Sequence, residues 1–234
     1  MPDPDAIARL IMQLRQHGIR DARVLEAIEK TPRELFVEDD WQAQAWEDTA
    51  LPIACGQTIS QPYIVAFMTE QLDVQPHHRV LEVGTGSGYQ AAILARLARR
   101  VFSVERHRPL LEQARRRFRA LGLENIETRL GDGMRGWPEA APFDRIIVTA
   151  AARQPPPALL EQLAQGGVML IPLDDPLHDY QQLVRIRHTP QGFERETLLP
   201  VRFVPLLPGM PRRENASETI RQQADDNAER NGEA

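Results

Sequence analysis

Between Arg79 and Leu173 short apolar runs alternate with stretches of helical spacing, and this alternation narrows the possible folds more than any other feature of the chain. Arg79–Val83, Val101–Glu105, Ile126–Leu130, Asp144–Thr149 and Val168–Leu173 read as strands. Gly88–Ala98, Pro109–Leu121 and Ala158–Ala164 read as the helices between them. Short strands separated by helices can lie side by side only through right-handed crossovers. The pattern therefore predicts βαβ units and an α/β fold with a doubly wound, mainly parallel sheet.

The flanks differ from this centre. Residues 3–46 read as helical: Ile7, Leu10, Ile11 and Leu14 fall at helical spacing, and Gly18 marks a stop. Asp21 is placed to cap a second helix carrying Val24, Leu25 and Ile28, which Thr31-Pro32 ends, and a third short helix is expected over Trp41–Trp46. Asp48–Ser60 reads as irregular. After the parallel region, Gln182–His188 and Glu194–Leu206 around Thr189-Pro190-Gln191-Gly192 predict an antiparallel hairpin. The expected organisation is a helical extension with a polar loop over 1–60, an α/β domain over 61–207, and a polar tail over 208–234 that reads as disordered for want of apolar residues.

Composition excludes several classes. The 234 residues carry a net charge of −5, with pI near 5.7, which argues against a nucleic-acid binder. The one basic run, Arg115-Arg116-Arg117, sits on a predicted helix with Phe118 and Leu121 and reads as a solvated face. Cys55 is the only cysteine, so no internal disulfide or cysteine-based metal site is available, and His77-His78 lacks ligand spacing. No apolar run approaches a membrane span, and Met1-Pro2-Asp3-Pro4-Asp5 is too acidic for a signal peptide. A cytoplasmic monomer without a metal is the expectation.

The strongest motif is Val80-Leu81-Glu82-Val83-Gly84-Thr85-Gly86-Ser87-Gly88-Tyr89. A buried strand runs into Gly-x-Gly-x-Gly and then a helix, so bare backbone meets a ligand near the positive end of the helix. A dinucleotide fingerprint would want glycine where Tyr89 stands. Glu105 ends the second strand about twenty residues later, where a carboxylate accepts from a ribose. Asp132, within Gly131-Asp132-Gly133, ends the third and is placed to accept from an adenine amino group. Taken singly, either acid is better explained by capping the turn that follows it. In register with the glycine loop they resemble the Rossmann-like fold of S-adenosylmethionine-dependent methyltransferases.

The acceptor is narrowed by what is missing. Methyltransferases acting on base amines carry Asn/Asp-Pro-Pro-Tyr/Phe after the fourth strand, where this chain has Thr149-Ala150-Ala151-Ala152. Cytosine C5 chemistry needs a cysteine after proline, and Cys55 follows Ala54. Six segments then occur in one family's order: Lys30-Thr31-Pro32-Arg33-Glu34-Leu35-Phe36-Val37, Gly56-Gln57-Thr58-Ile59-Ser60, the glycine motif, Gly131-Asp132-Gly133, Phe143–Ala151 and Val201-Arg202-Phe203-Val204-Pro205-Leu206. Over residues 10–207 the chain resembles the protein-L-isoaspartate O-methyltransferase family, with the Gln-Thr-Ile-Ser segment the most specific part. The pair Ala54-Cys55 departs from the family, which often has a glycine nearby.

The resemblance implies S-adenosylmethionine held by Glu82, Gly84, Thr85, Gly86, Gly88, Glu105, Asp132 and Gly133. It implies Ser60 as the active-site serine, and a damaged, isoaspartyl-containing protein or peptide bound by Gln57, Thr58, Val201, Phe203 and Val204. Val201–Leu206 is expected to offer main-chain hydrogen bonds to that peptide, or else to be an ordinary edge strand blunted by Pro205. Ser60 also reads as the N-cap of a helix with Pro62 in its first turn, which would set a substrate carboxylate at the helix's positive end. Rival readings are a methyltransferase for another small carboxylate, a nucleotide-binding oxidoreductase, and a silent adenosyl-binding regulator.

Overall fold

The computed structural model describes residues 4–211. The tail expected to be disordered therefore lies, from residue 212 on, outside the described residues.

Two helices open the chain, α1 (Pro4–Gln16) and α2 (Ala22–Glu29). Gly18 between them takes φ +98°, and Asp21 caps α2 by accepting from Arg23 N–H. The third expected helix is only a 3-10 turn, Asp39–Gln44, next to another at Arg33–Phe36. The stretch read as irregular contains a small hairpin, β1 (Leu51–Ile53) against β2 (Gln57–Ile59), which leads into α3 (Pro62–Leu72). Leu51, Ile53 and Ile59 point inward, so the hairpin is held by burial as much as by its few backbone bonds.

From Arg79 the expected alternation follows: β3 (Arg79–Val83), α4 (Tyr89–Ala95), β4 (Arg100–Glu105), α5 (Arg108–Ala120), β5 (Ile126–Leu130), β6 (Phe143–Val148), α6 (Pro157–Glu161) and β7 (Leu163–Asp174). Helix α6 stops earlier than the sequence suggests and β7 starts earlier. The register between β6 and β7 shifts there, next to Gly166-Gly167, which lets an irregular first part of β7 join the sheet. Strands β8 (Gln181–Thr189) and β9 (Gly192–Val201) form the expected hairpin, although β9 ends at Val201 and not at Leu206.

The seven strands lie in the order β5-β4-β3-β6-β7-β8-β9. β5, β4, β3, β6 and β7 run parallel, while β8 and β9 add antiparallel strands at one edge. Successive side chains feed opposite faces. Val80, Val101, Ile147 and Leu170 join a core with α1 to α5, and Leu81, Phe102, Ile146 and Met169 join a second core with Phe143 and Leu159. The chain leaves β3 outward through β4 and β5, then returns to its other side at β6. That reversal opens a crevice at the carboxyl ends of the strands beside β3, where open α/β sheets bind ligands.

Candidate active site

The glycine loop occupies this crevice. Gly84, Gly86 and Gly88 take φ values of +102°, +52° and +92°, a region that side chains disfavour. Gly84 N–H donates to Val104 O at 2.9 Å, and Gly88 N–H to Thr85 O at 2.8 Å. Thr149, at the end of β6, donates its hydroxyl to Gly84 O at 2.8 Å and so fastens the loop from the other side. A side chain at Gly88 would meet Phe118 at 2.8 Å, so this third glycine serves packing against α5.

A cavity opens over the loop at the carboxyl ends of the strands. Of the residues expected there, Gly84, Thr85, Gly86, Glu105, Gly133, Gln57, Thr58, Ser60 and Val204 line it. Glu105 is 5% exposed; its carboxylate accepts from Gly86 N–H and His107 N–H, each at 2.8 Å. It is therefore fixed in place with oxygen lone pairs still open toward the cavity. Sequence reasoning missed Tyr89, Arg106, His107 and Thr149, which also line it. Proximity to the glycine motif and to Glu105 was the available signal.

Three of the residues expected to hold the donor sit elsewhere. Gly88 packs behind the loop, as described. Asp132 is engaged by backbone: its carboxylate accepts from Met134 N–H at 2.9 Å and, across the chain, from Gly209 N–H at 2.8 Å. Glu82 is fully buried behind the loop, where it accepts from the Ser103 hydroxyl, and Ser103 shares a 2.6 Å hydrogen bond with Thr85. Burial pushes the Glu82 carboxyl up to about 8. It braces the loop from inside.

A second groove adjoins the first, and Thr58 and Ser60 line both. Its other wall is Tyr180 and Pro200–Phe203, which brings Val201 and Phe203 to the side of Ser60. One expectation about this region is corrected. Ser60 does not cap α3: the N-cap position is Gln61, and Tyr63 N–H is satisfied at 2.7 Å by the carboxylate of Asp48, which also accepts from Gln61 Nε2 at 3.1 Å. In Val201–Leu206 three backbone groups already have partners. Val204 O accepts from Ala151 N–H, Leu206 N–H donates to Ala151 O, and Phe203 N–H donates to the Gln181 side chain.

A parallel sheet with a glycine loop after β3, an acid ending β4 and a cavity at the topological switch defines a Rossmann-like methyltransferase fold. Comparison with known proteins narrows it. The family model for protein-L-isoaspartate(D-aspartate) O-methyltransferase matches residues 6–210, and the chain belongs to that family. A protein-L-isoaspartate O-methyltransferase of Rhodospirillum centenum is 60% identical over 214 residues, which are 89% of this chain and 96% of the relative. One from Parvibaculum lavamentivorans is 58% identical, over 86% and 91% of the two chains. Among solved structures, one named protein-L-isoaspartate O-methyltransferase superposes with a TM-score of 0.78 at 30% identity, over 85% of this chain and 65% of that one. A Plasmodium falciparum protein assigned to the same activity, in complex with S-adenosyl-L-homocysteine, superposes with a TM-score of 0.75 at 25% identity, over 85% and 97%.

Proposed function

We infer that the protein methylates the free α-carboxylate of L-isoaspartyl residues in damaged proteins and peptides, with S-adenosylmethionine as donor. One observation carries this reading: the cavity over the glycine loop and a groove open to solvent meet at Thr58 and Ser60, which line both. Donor and acceptor chambers thus share one wall. Family membership supports the acceptor.

The donor chamber fits an adenosyl group. The glycine turn admits a ligand against bare backbone, and the buried Glu105 carboxylate is positioned to accept from ribose hydroxyls. Gly84, Thr85, Gly86, Glu105 and Gly133 would hold the donor, with Glu82, Gly88 and Asp132 shaping the loops around it. Bound there, S-adenosylmethionine supplies an electrophilic methyl group on a sulfonium.

The remaining work is alignment. An α-carboxylate has a pKa of about 3.5, is ionised at neutral pH and needs no general base. Ser60 stands where the chambers meet and is placed to donate a hydrogen bond to one carboxylate oxygen, which leaves the other free to attack. Gln57 and Thr58 extend the same wall, and Val201, Phe203 and Val204 flank the peptide. The methyl ester then closes to a succinimide in solution, and hydrolysis returns part of the material to normal aspartate. The protein is expected to act as a monomer in the cytoplasm, without nucleic acid; no described helix is long and apolar enough to cross a membrane.

The test is a pair of peptides differing only in isoaspartate or aspartate at one position. Both carboxylates are similarly basic, so only geometry separates them, and a misplacement of about 1 Å is worth roughly a hundredfold in rate. Methylation of the isoaspartyl peptide alone is expected, with Ser60→Ala lowering kcat while the donor Kd stays within about twofold. Equal rates on the two peptides would sink the assignment.

A further inference from the structure

The acceptor carboxylate is an anion, and the structure removes the helix terminus expected to receive it. The N-terminal turn of α3 is already capped by Asp48, whose side chain is 5% exposed and accepts from Gln61 Nε2 and Tyr63 N–H. A second carboxylate arriving at Ser60 therefore finds the Tyr63 N–H already taken, and a cation on the groove wall is the alternative partner.

The groove contains one candidate. Among the described residues that line it, Arg202 alone has a charged side chain. It is exposed, and among the described residues its guanidinium has no hydrogen-bond or ion-pair partner. Its backbone is held on both sides. Val201 pairs with Gln181 at the end of β9, and Phe203 N–H donates to the Gln181 side chain at 2.9 Å. The stem is thus anchored while the fork is uncommitted, a contrast with Arg185 nearby in the sheet, which is tied to Glu196 and Gln71.

We propose that Arg202 is the electrostatic receptor for the acceptor carboxylate and that it distinguishes substrate from product. The proposal rests on the acceptor assignment above. Before transfer the isoaspartyl group is anionic, and a guanidinium at the groove wall draws it toward Ser60. Transfer forms a carbon–oxygen bond while the carbon–sulfur bond breaks with its electron pair left on sulfur. The carboxylate charge and the sulfonium charge disappear together, and no proton moves. The neutral ester has lost its attraction to Arg202, so it leaves and cyclises in solution instead of blocking the groove. The chain thereby favours the damaged acid over the ester it makes, using one charge.

The experiment measures peptide binding to the full chain in the presence of S-adenosylhomocysteine, so that no reaction occurs. Two acetylated and amidated peptides are compared: one with isoaspartate, its only anion, and one with isoasparagine, which mimics the neutral ester. The parent should prefer the isoaspartyl peptide by about tenfold, as a charge-assisted hydrogen bond allows. That preference should shrink as salt screens it. R202Q should bind both alike and R202K should retain part of the preference. In turnover, R202Q should raise KM about tenfold with kcat within about twofold. A parent-like preference in R202Q overturns the proposal even though the parent methylates isoaspartate. A fall in kcat at unchanged KM overturns it too, since Arg202 would then act on transfer and not on capture. Failure of the parent to methylate the isoaspartyl peptide removes the acceptor assignment and this proposal together.

Discussion

A carboxyl group sealed behind a glycine turn has to give up either its charge or its burial. Glu82 gives up its charge. Burial raises its pKa from 4.5 to about 8; the Ser103 hydrogen bond opposes the shift, and the nearby charge of Glu105 adds to it. The folded chain therefore holds this proton across a range where the unfolded chain has released it. Stability from this group is full below pH 4.5, falls as pH rises toward about 8 and levels off above. Removing the titration with Glu82→Gln, which keeps a hydrogen-bonding head, should flatten the decline. Since each pKa unit is worth about 1.4 kcal/mol, the variant should gain a few kcal/mol on the parent between pH 5 and 9, read from urea melts. Parallel profiles would show that Glu82 ionises normally.

The element most dependent on a distant residue is α3. Pro62 at its first position lacks an N–H, and Gln61 offers no side-chain cap, so Asp48 reaches back to Tyr63 N–H at 2.7 Å. Asp48→Ala should cost about 1–2 kcal/mol, the upper range for a lost cap, and Asp48→Asn should recover most of it. Equal stability of Asp48→Ala and the parent in thermal melts would mean that water replaces the cap. The same region holds a strained turn. Cys55, between β1 and β2, takes φ +59°, a left-handed conformation worth roughly 1–2 kcal/mol against a side chain. Cys55→Gly should therefore raise stability by up to about 1 kcal/mol once glycine's greater unfolded-state entropy is subtracted. A lower melting temperature would show that the thiol's contacts outweigh the strain.

At the scale of the molecule, the N-terminal helices belong to the same core as the sheet. Leu10 and Leu14 of α1 and Val24, Leu25 and Ile28 of α2 are buried in one cluster with Val65 of α3, Ile93 of α4 and Val80 of β3. A chain lacking residues 1–60 would expose that face of α3 and α4 to water. At about 25 cal/mol per Å² of apolar surface, the loss of several such side chains matches the whole stability of an ordinary domain. Such a truncation should lose its cooperative melt and bind no donor. A sharp transition near the parent's melting temperature would show that residues 61–207 fold alone and that the extension is an appendage.

Local spacing determined much of this. The alternation from Arg79 to Leu173 was enough for a parallel α/β sheet, and the glycine run with Glu105 was enough to single out the crevice beside β3, because both depend on which way neighbouring side chains point and on backbone that only glycine adopts easily. The hairpin at Leu51–Ile59 was not legible: each strand has three residues, one holds Pro52, and the left-handed turn begins at a cysteine. Nor could the sequence show that Asp48 would take the cap expected of Ser60, that Glu82 would brace the loop from behind, or that Ala151 would pair with Val204 and Leu206. Each of these is a choice of partner by a polar group. A sequence specifies how many donors and acceptors a segment carries, but a buried group takes whichever partner the packed chain brings within 3 Å or so, and only the tertiary structure decides which that is.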